Sequence, residues 1–164
     1  MPSLPADEFQ ALLSSSQGPI AGIDVGERRT GLALSDMNRC VALPWQSLHH
    51  DSLMKGVAPI ASLMMERGVA GIVVGWPIET SGNIGAQCKK VLRFADALFE
   101  QTSKAFFLWD ERLSTAVVIR HLKETHVSYR KYEQRIDKEV AAHLLQGALD
   151  FFKSFSVESA KKAP

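Results

Sequence analysis

Cysteine is nearly absent from this sequence. Cys40 and Cys88 are the only two in 164 residues, far apart and in no metal-ligand spacing, so neither a disulfide-stapled scaffold nor a thiolate zinc site can be built from them. Long hydrophobic runs are missing as well. No apolar stretch approaches the roughly 20 residues that a helix needs to cross a bilayer, which predicts a soluble protein with reduced thiols and a cytoplasmic setting. Net charge is scarce, since 19 basic and 18 acidic side chains leave +1. That balance neither demands a polyanionic partner nor excludes one, because a local basic face acts even where the total is neutral. The five histidines, His49, His50, His121, His126 and His143, follow no ligand spacing. Residues 1–18 lack the basic start, apolar centre and cleavage pattern of a signal peptide and read as a short helix with a loose lead-in.

What is present is the profile of a globular domain, with 46% hydrophobic and 23% charged residues. The length suits one domain with its own core, expected over residues 19–152 and followed by a tail from 153 to 164. Residues 19–24 and 30–35 are two apolar runs around the turn-forming segment 26–29, the signature of a β-hairpin. Residues 40–48 alternate and extend it to a meander of three antiparallel strands. An amphipathic helix follows over 53–67, with Gly68 suited to end it and Pro59 expected to bend it. Residues 71–74 and 105–109 are short and wholly apolar, as in strands buried on both faces of a parallel sheet. Between them, residues 85–101 carry Val91, Phe94, Ala95 and Leu98 at helical spacing. A helix capped by Ser114 over 115–124, a basic mobile loop over 125–135 and a last helix over 136–152 complete the order, with a tail fraying from Ser154. Strands alternating with helices after a meander imply a mixed five-stranded sheet with helices on both faces.

Four acids stand out. Asp24 interrupts an apolar strand where the alternation would accept a hydrophobe, and a carboxylate there needs a partner or a cation to offset its desolvation. Asp110 and Glu111 end a buried strand, at the edge of an open sheet where ligands bind; either can be the strand-end ligand. Asp137 begins the last helix as read here. It serves either as a first-turn acid favoured by the macrodipole or as a group turned back toward Asp24. Taken singly, each is most simply a solvated or capping carboxylate. Together they form an oxygen-only donor set that suits Mg²⁺ or Mn²⁺. Arg28, Arg29, Arg112, Arg130 and Lys131 are candidates for a phosphate-contacting rim, with Tyr129 and Tyr132 available to stack on bases. Trp76 and Trp109 end buried strands and read as packing residues, and His143 as a helix residue packed by its neighbours.

Four segments, in order and at their separations, resemble the YqgF/RuvX family, the Holliday junction resolvase and pre-16S rRNA nuclease group of the ribonuclease-H-like superfamily. They are GIDVGERRTGLALSD at 22–36, GIVVGWPIETSGNIGAQ at 71–87, WDERLST at 109–115 and IDKEVAAHLLQGAL at 136–149. The resemblance implies a ribonuclease-H-like α/β fold and metal-dependent phosphodiester hydrolysis. Asp24 matches the family's first-strand acid, Glu111 or its neighbour Asp110 the strand-end acid, and Asp137 the last-helix acid, with Arg112 on the active edge. The loop after the fourth strand departs from the family's usual GLPLNMDGSEG: Trp76 replaces a Leu, Glu79 an Asn, Ser81 an Asp and Ile84 a Glu. The implied substrate is structured RNA, at the 5′ end of pre-16S rRNA. The rivals are a resolvase acting on branched DNA, which would work as a homodimer rather than a monomer, and a non-catalytic nucleic-acid-binding assembly factor. A nucleotide phosphotransferase with a GIDxG-type hairpin needs two such domains, more than this length holds.

Overall fold

The computed structural model describes residues 3–79, 81–111 and 129–161, with the backbone alone at 129–134 and 157–161. Helix α1 (Ala6–Ser14) precedes a meander of β1 (Ile20–Val25), β2 (Arg29–Ser35) and β3 (Ala42–His49). A 3₁₀ turn (Leu53–Gly56) then leads into α2 (Val57–Glu66), β4 (Gly71–Trp76), α3 (Ala86–Thr102), β5 (Phe106–Asp110) and α4 (Tyr129–Lys161). The five strands form one sheet in the order β3-β2-β1-β4-β5. The meander pairs are antiparallel, and β4 joins β1, and β5 joins β4, in parallel. This is the mixed sheet expected from the alternation of elements.

Strand periodicity divides the interior into two cores. Ala21, Ile23 and Val25 of β1 join Leu32, Ile72 and Val74 against the apolar faces of α2 and α3. The alternate residues Ile20, Ala33 and Val73 join Phe9 and Leu13 of α1 and Ala141, Leu144, Leu145 and Ala148 of α4. Buried on both faces, β4 has no use for polar alternation, which is why residues 71–74 read as one apolar run.

Several boundaries differ from the sequence pattern, each for a local reason. The helix expected from 53 starts as a 3₁₀ turn and becomes α-helical at Val57. Pro59, expected to bend it, is therefore its third residue, where the amide has no helical partner to lose. Gly68 ends the helix as expected, with φ +61°. Residues 129–135, expected in a loop, belong to α4, so Asp137 lies in the third turn of a 33-residue helix and not at its start. The macrodipole reading of Asp137 fails for that reason, because the effect is confined to the first turn. Nor does the helix end before the expected tail from Ser154, since it runs on to Lys161. Gln10 of α1 donates to the Phe152 carbonyl at 3.2 Å and bonds the Ser156 hydroxyl, while Phe151 packs on Phe155 with centroids 6.0 Å apart. The helix expected over 115–124, its Ser114 cap and residues 125–128 lie outside the described residues.

Candidate active site

The parallel pairing of β1, β4 and β5 brings their carboxyl ends to one edge. Ile23 is in register with Val74, and Gly75 with Trp109. Alternation then selects which side chains meet. Ile20, Gly22 and Asp24 share the face covered by α4, where a Cβ at Gly22 would press on Leu145 and Ala141. Phe107 and Trp109 pack in the same core, so Glu111, next in the alternation, belongs to that face too. Asp110 turns the other way and is exposed.

Two glycines make room for the acids. A Cβ at Gly75 would overlap the carboxylate of Glu111, which lies over the backbone of β4 in the lane beside Asp24. Gly31 is the cross-strand partner of Asp24, and a Cβ there would overlap the Asp137 carbonyl. The missing side chain lets α4 press its backbone onto β2 and sets Asp137 beside Asp24. The Asp137 carboxylate is held by Arg29, whose Nε lies at 3.0 Å from Oδ2, and by the Ser47 hydroxyl, which donates to the same oxygen at 3.1 Å.

The electrostatics carry the mark of crowded acids. Burial, reinforced by the charge of Asp137, pushes the Asp24 carboxyl up to about 7. Burial, with the charges of Asp24 and then Asp110, pushes Glu111 up to about 8. Like charges brought together in a desolvated place hold protons or bind a cation. Asp110 thus acts on Glu111 through its field, from the opposite side of the strand.

The expected phosphate-contacting residues divide. Arg28 is exposed at the hairpin tip, and Arg29 is bound to Asp137. Arg112 lies outside the described residues, as do the side chains of Arg130 and Lys131 in the first turn of α4. Trp76 and Trp109 pack against the two cores as expected. His143 is helical but exposed on α4, not packed, because it falls between the buried positions Ala142 and Leu144 on the outer side of the helix. Sequence reasoning missed Ser47 and His50. The His50 ring is half-buried beside Gly56, with Nε2 at 2.9 Å from the Thr30 hydroxyl. Its sequence signal, a His at the end of an alternating strand, is weak.

The donor chemistry fits Mg²⁺ or Mn²⁺: the acids offer hard oxygen ligands, and a cation would offset the cost that burial and crowding place on ionising Asp24 and Glu111. Among the described residues no three Asp, Glu, His or Cys side chains already form a cage for an ion, and Asp137 is engaged by Arg29 and Ser47. The fit therefore rests on Asp24 and Glu111 first.

A mixed five-stranded sheet in this order with helices on both faces is the ribonuclease-H-like fold. Solved structures share the fold: Thermus thermophilus RuvC in complex with a Holliday junction superposes with TM-score 0.56 at 10% identity, over 85% of this chain and 96% of that one. The fowlpox virus resolvase in complex with Holliday junction DNA gives 0.52 at 11% identity, over 84% and 98%. The family model described as "RuvX: Holliday junction resolvase" matches residues 18–151, and the chain belongs to that family. Curated relatives bearing the name "Putative pre-16S rRNA nuclease" include one from Paramagnetospirillum magneticum, 36% identical over 95% of this chain and all of that protein. Another, from Beijerinckia indica, is 38% identical over 90% of this chain and 88% of its own length.

Proposed function

We propose that this protein is a divalent-metal-dependent nuclease that hydrolyses phosphodiester bonds at the 5′ end of pre-16S rRNA, in the cytoplasm, during ribosome biogenesis. The observation that carries the reading is the pair of half-buried, mutually repelling carboxylates, Asp24 and Glu111, in adjacent lanes of one sheet face beside Asp137. The RNA substrate is supported by the name that the relatives carry.

Asp24, Glu111 and Asp137 are the residues to hold Mg²⁺ or Mn²⁺, with Asp110 adding negative charge from behind. When bound, the cations supply Lewis-acid polarisation of the scissile phosphate and neutralise its developing charge. At neutral pH and without a cation, Glu111 keeps its proton, so cation uptake is accompanied by proton release. Arg29 orients Asp137, while Arg28, Arg112, Arg130 and Lys131 grip the backbone, a role that fixes register on the substrate rather than reading its sequence.

The test compares the unmodified protein with Asp24→Asn on a pre-16S RNA fragment and on a four-way DNA junction, with Mg²⁺ or Mn²⁺ and with chelator. Metal-stimulated RNA cleavage lost in the variant is expected. Equal cleavage by the variant removes Asp24 from the mechanism, and preferential cutting of the junction turns the reading to a resolvase. Binding without cleavage makes the protein an assembly factor.

A further inference from the structure

On the α3 side of the sheet, a cleft of about 340 Å³ opens between the hairpin tip and α3, lined by Arg28, Ser52, Leu53, Met54, Lys90 and Arg93 together with Glu27 and Asp51. Its charge does not cancel. Glu27 is paired with Lys90, and Asp51 with Lys55 at 3.5 Å. Neither Arg28 nor Arg93 forms an ion pair among the described residues, so the two guanidiniums set the sign of the cleft. Lys90 and Arg93 stand three residues apart on the exposed side of α3, opposite the buried Cys88, Val91 and Phe94, and so face the cleft together. A second concavity of about 270 Å³ contains Arg29, His49 and Asp137 and shares Glu27 and Arg28 with the first. Arg28 therefore lines both hollows, the one on the α3 side and the one that contains Asp137.

We propose that the cleft between the hairpin tip and α3 is an exosite for a polynucleotide backbone, in which Arg93 and Arg28 hold phosphates of the strand flanking the bond to be cut. The site deepens the nuclease reading and rests on it for the identity of the strand. Its chemistry is that of phosphodiester recognition: guanidiniums presented as planar forks to phosphate oxygens, with exposed Met54 supplying a soft apolar surface for a base. Such contacts position the strand without reading its sequence, so RNA and DNA single strands engage the cleft alike.

The test is equilibrium binding in chelator, where no cleavage is needed, of single-stranded RNA and DNA of the same sequence and about 20 nucleotides, long enough to span several phosphate contacts. Arg93→Glu is expected to weaken binding of both strands about tenfold and to lower the slope of log affinity against log salt by about 0.7 or more, the loss of at least one phosphate contact. Lys89→Glu makes the same charge change one position before Lys90, outside the cleft lining, and is expected to weaken binding less than twofold, at the level of a distant screened charge. Equal losses in the two variants, an unchanged salt slope in Arg93→Glu, or no binding by the unmodified protein would overturn the exosite. A loss confined to RNA assigns the contact to the ribose instead and overturns the backbone proposal equally. Absence of cleavage in metal sinks the nuclease reading and leaves the binding result standing, so the two failures are distinguishable.

Discussion

Glu111 and Asp137 reach Asp24 because two positions of the sheet have no side chain, and the two positions differ in what stands in the gap. At Gly75 it is the far end of a flexible glutamate, and at Gly31 it is the backbone of α4 at Asp137 and Lys138. Gly75→Ala should therefore swing Glu111 aside at little cost to folding, cutting metal-stimulated cleavage at least tenfold, a loss of about 1.4 kcal/mol or more in transition-state stabilisation, while Tm moves by less than about 3 °C. Gly31→Ala should force the helix off the sheet and lower stability by about 1–3 kcal/mol, the cost of an overpacked interior. Thermal melts beside single-turnover assays separate the two; a Gly75→Ala protein that keeps full activity would show that Glu111 has no part in the reaction. The sequence makes Asp24 legible, since a carboxylate in an apolar strand asks for an explanation. It leaves Asp110 and Glu111 undecided because FFLW, apolar throughout, carries no alternation from which to read the facing of the next residue. The packing of Phe107 and Trp109 against α4, with the Glu111 carboxylate over Gly75, assigns Glu111 to the inner face.

At the level of elements, the meander, the two parallel strands and the helices between them follow from periodicity alone, and the boundaries misjudged by most residues are the two ends of α4. Asp137 meets the sheet at Gly31, near the start of β2. The stretch 129–135 carries no apolar period in the sequence and so looks like a loop there, although its backbone is helical. A second illegible device closes the opposite end of β1. Arg39, in the left-handed region at φ 57°, donates from Nε to the Gly18 carbonyl at 3.0 Å, from Nη2 to that of Ser16 at 2.7 Å and from Nη1 to that of Leu13. One guanidinium thus ties the end of α1 to the approach to the sheet, across 21 to 26 residues of chain. Arg39→Ala should cost about 2 kcal/mol, the scale of charge-assisted hydrogen bonds, and lower Tm by roughly 4–8 °C. Cleavage per folded molecule should not change, because the acids sit at the other end of β1. A fall in activity exceeding the loss of folded protein would show coupling between the two ends of the strand.

For the molecule as a whole, the raised carboxyls make stability depend on pH with a definite sign. A carboxyl that binds its proton more tightly folded than unfolded favours the folded state at low pH and loses that advantage as pH rises through the folded value. Asp24 leaves its ordinary 3.8 for about 7 and Glu111 its ordinary 4.5 for about 8. In chelator, stability should therefore fall steadily from about pH 4 to about pH 8 and level off above, a loss on the order of a few kcal/mol. Divalent cation acts on the same charges in the opposite sense. Binding to the ionised acids stabilises the folded state by mass action and competes with protons, so Mg²⁺ should raise Tm more at pH 8 than at pH 5. Melts across that range, with and without Mg²⁺, test both halves in one experiment. The double variant Asp24→Asn, Glu111→Gln should flatten the decline and abolish the cation effect together, because one repulsion underlies both. If the decline persists in the double variant, other groups govern the pH response; if Mg²⁺ still stabilises it, the ion is held away from these carboxylates and the mechanism built on them is wrong.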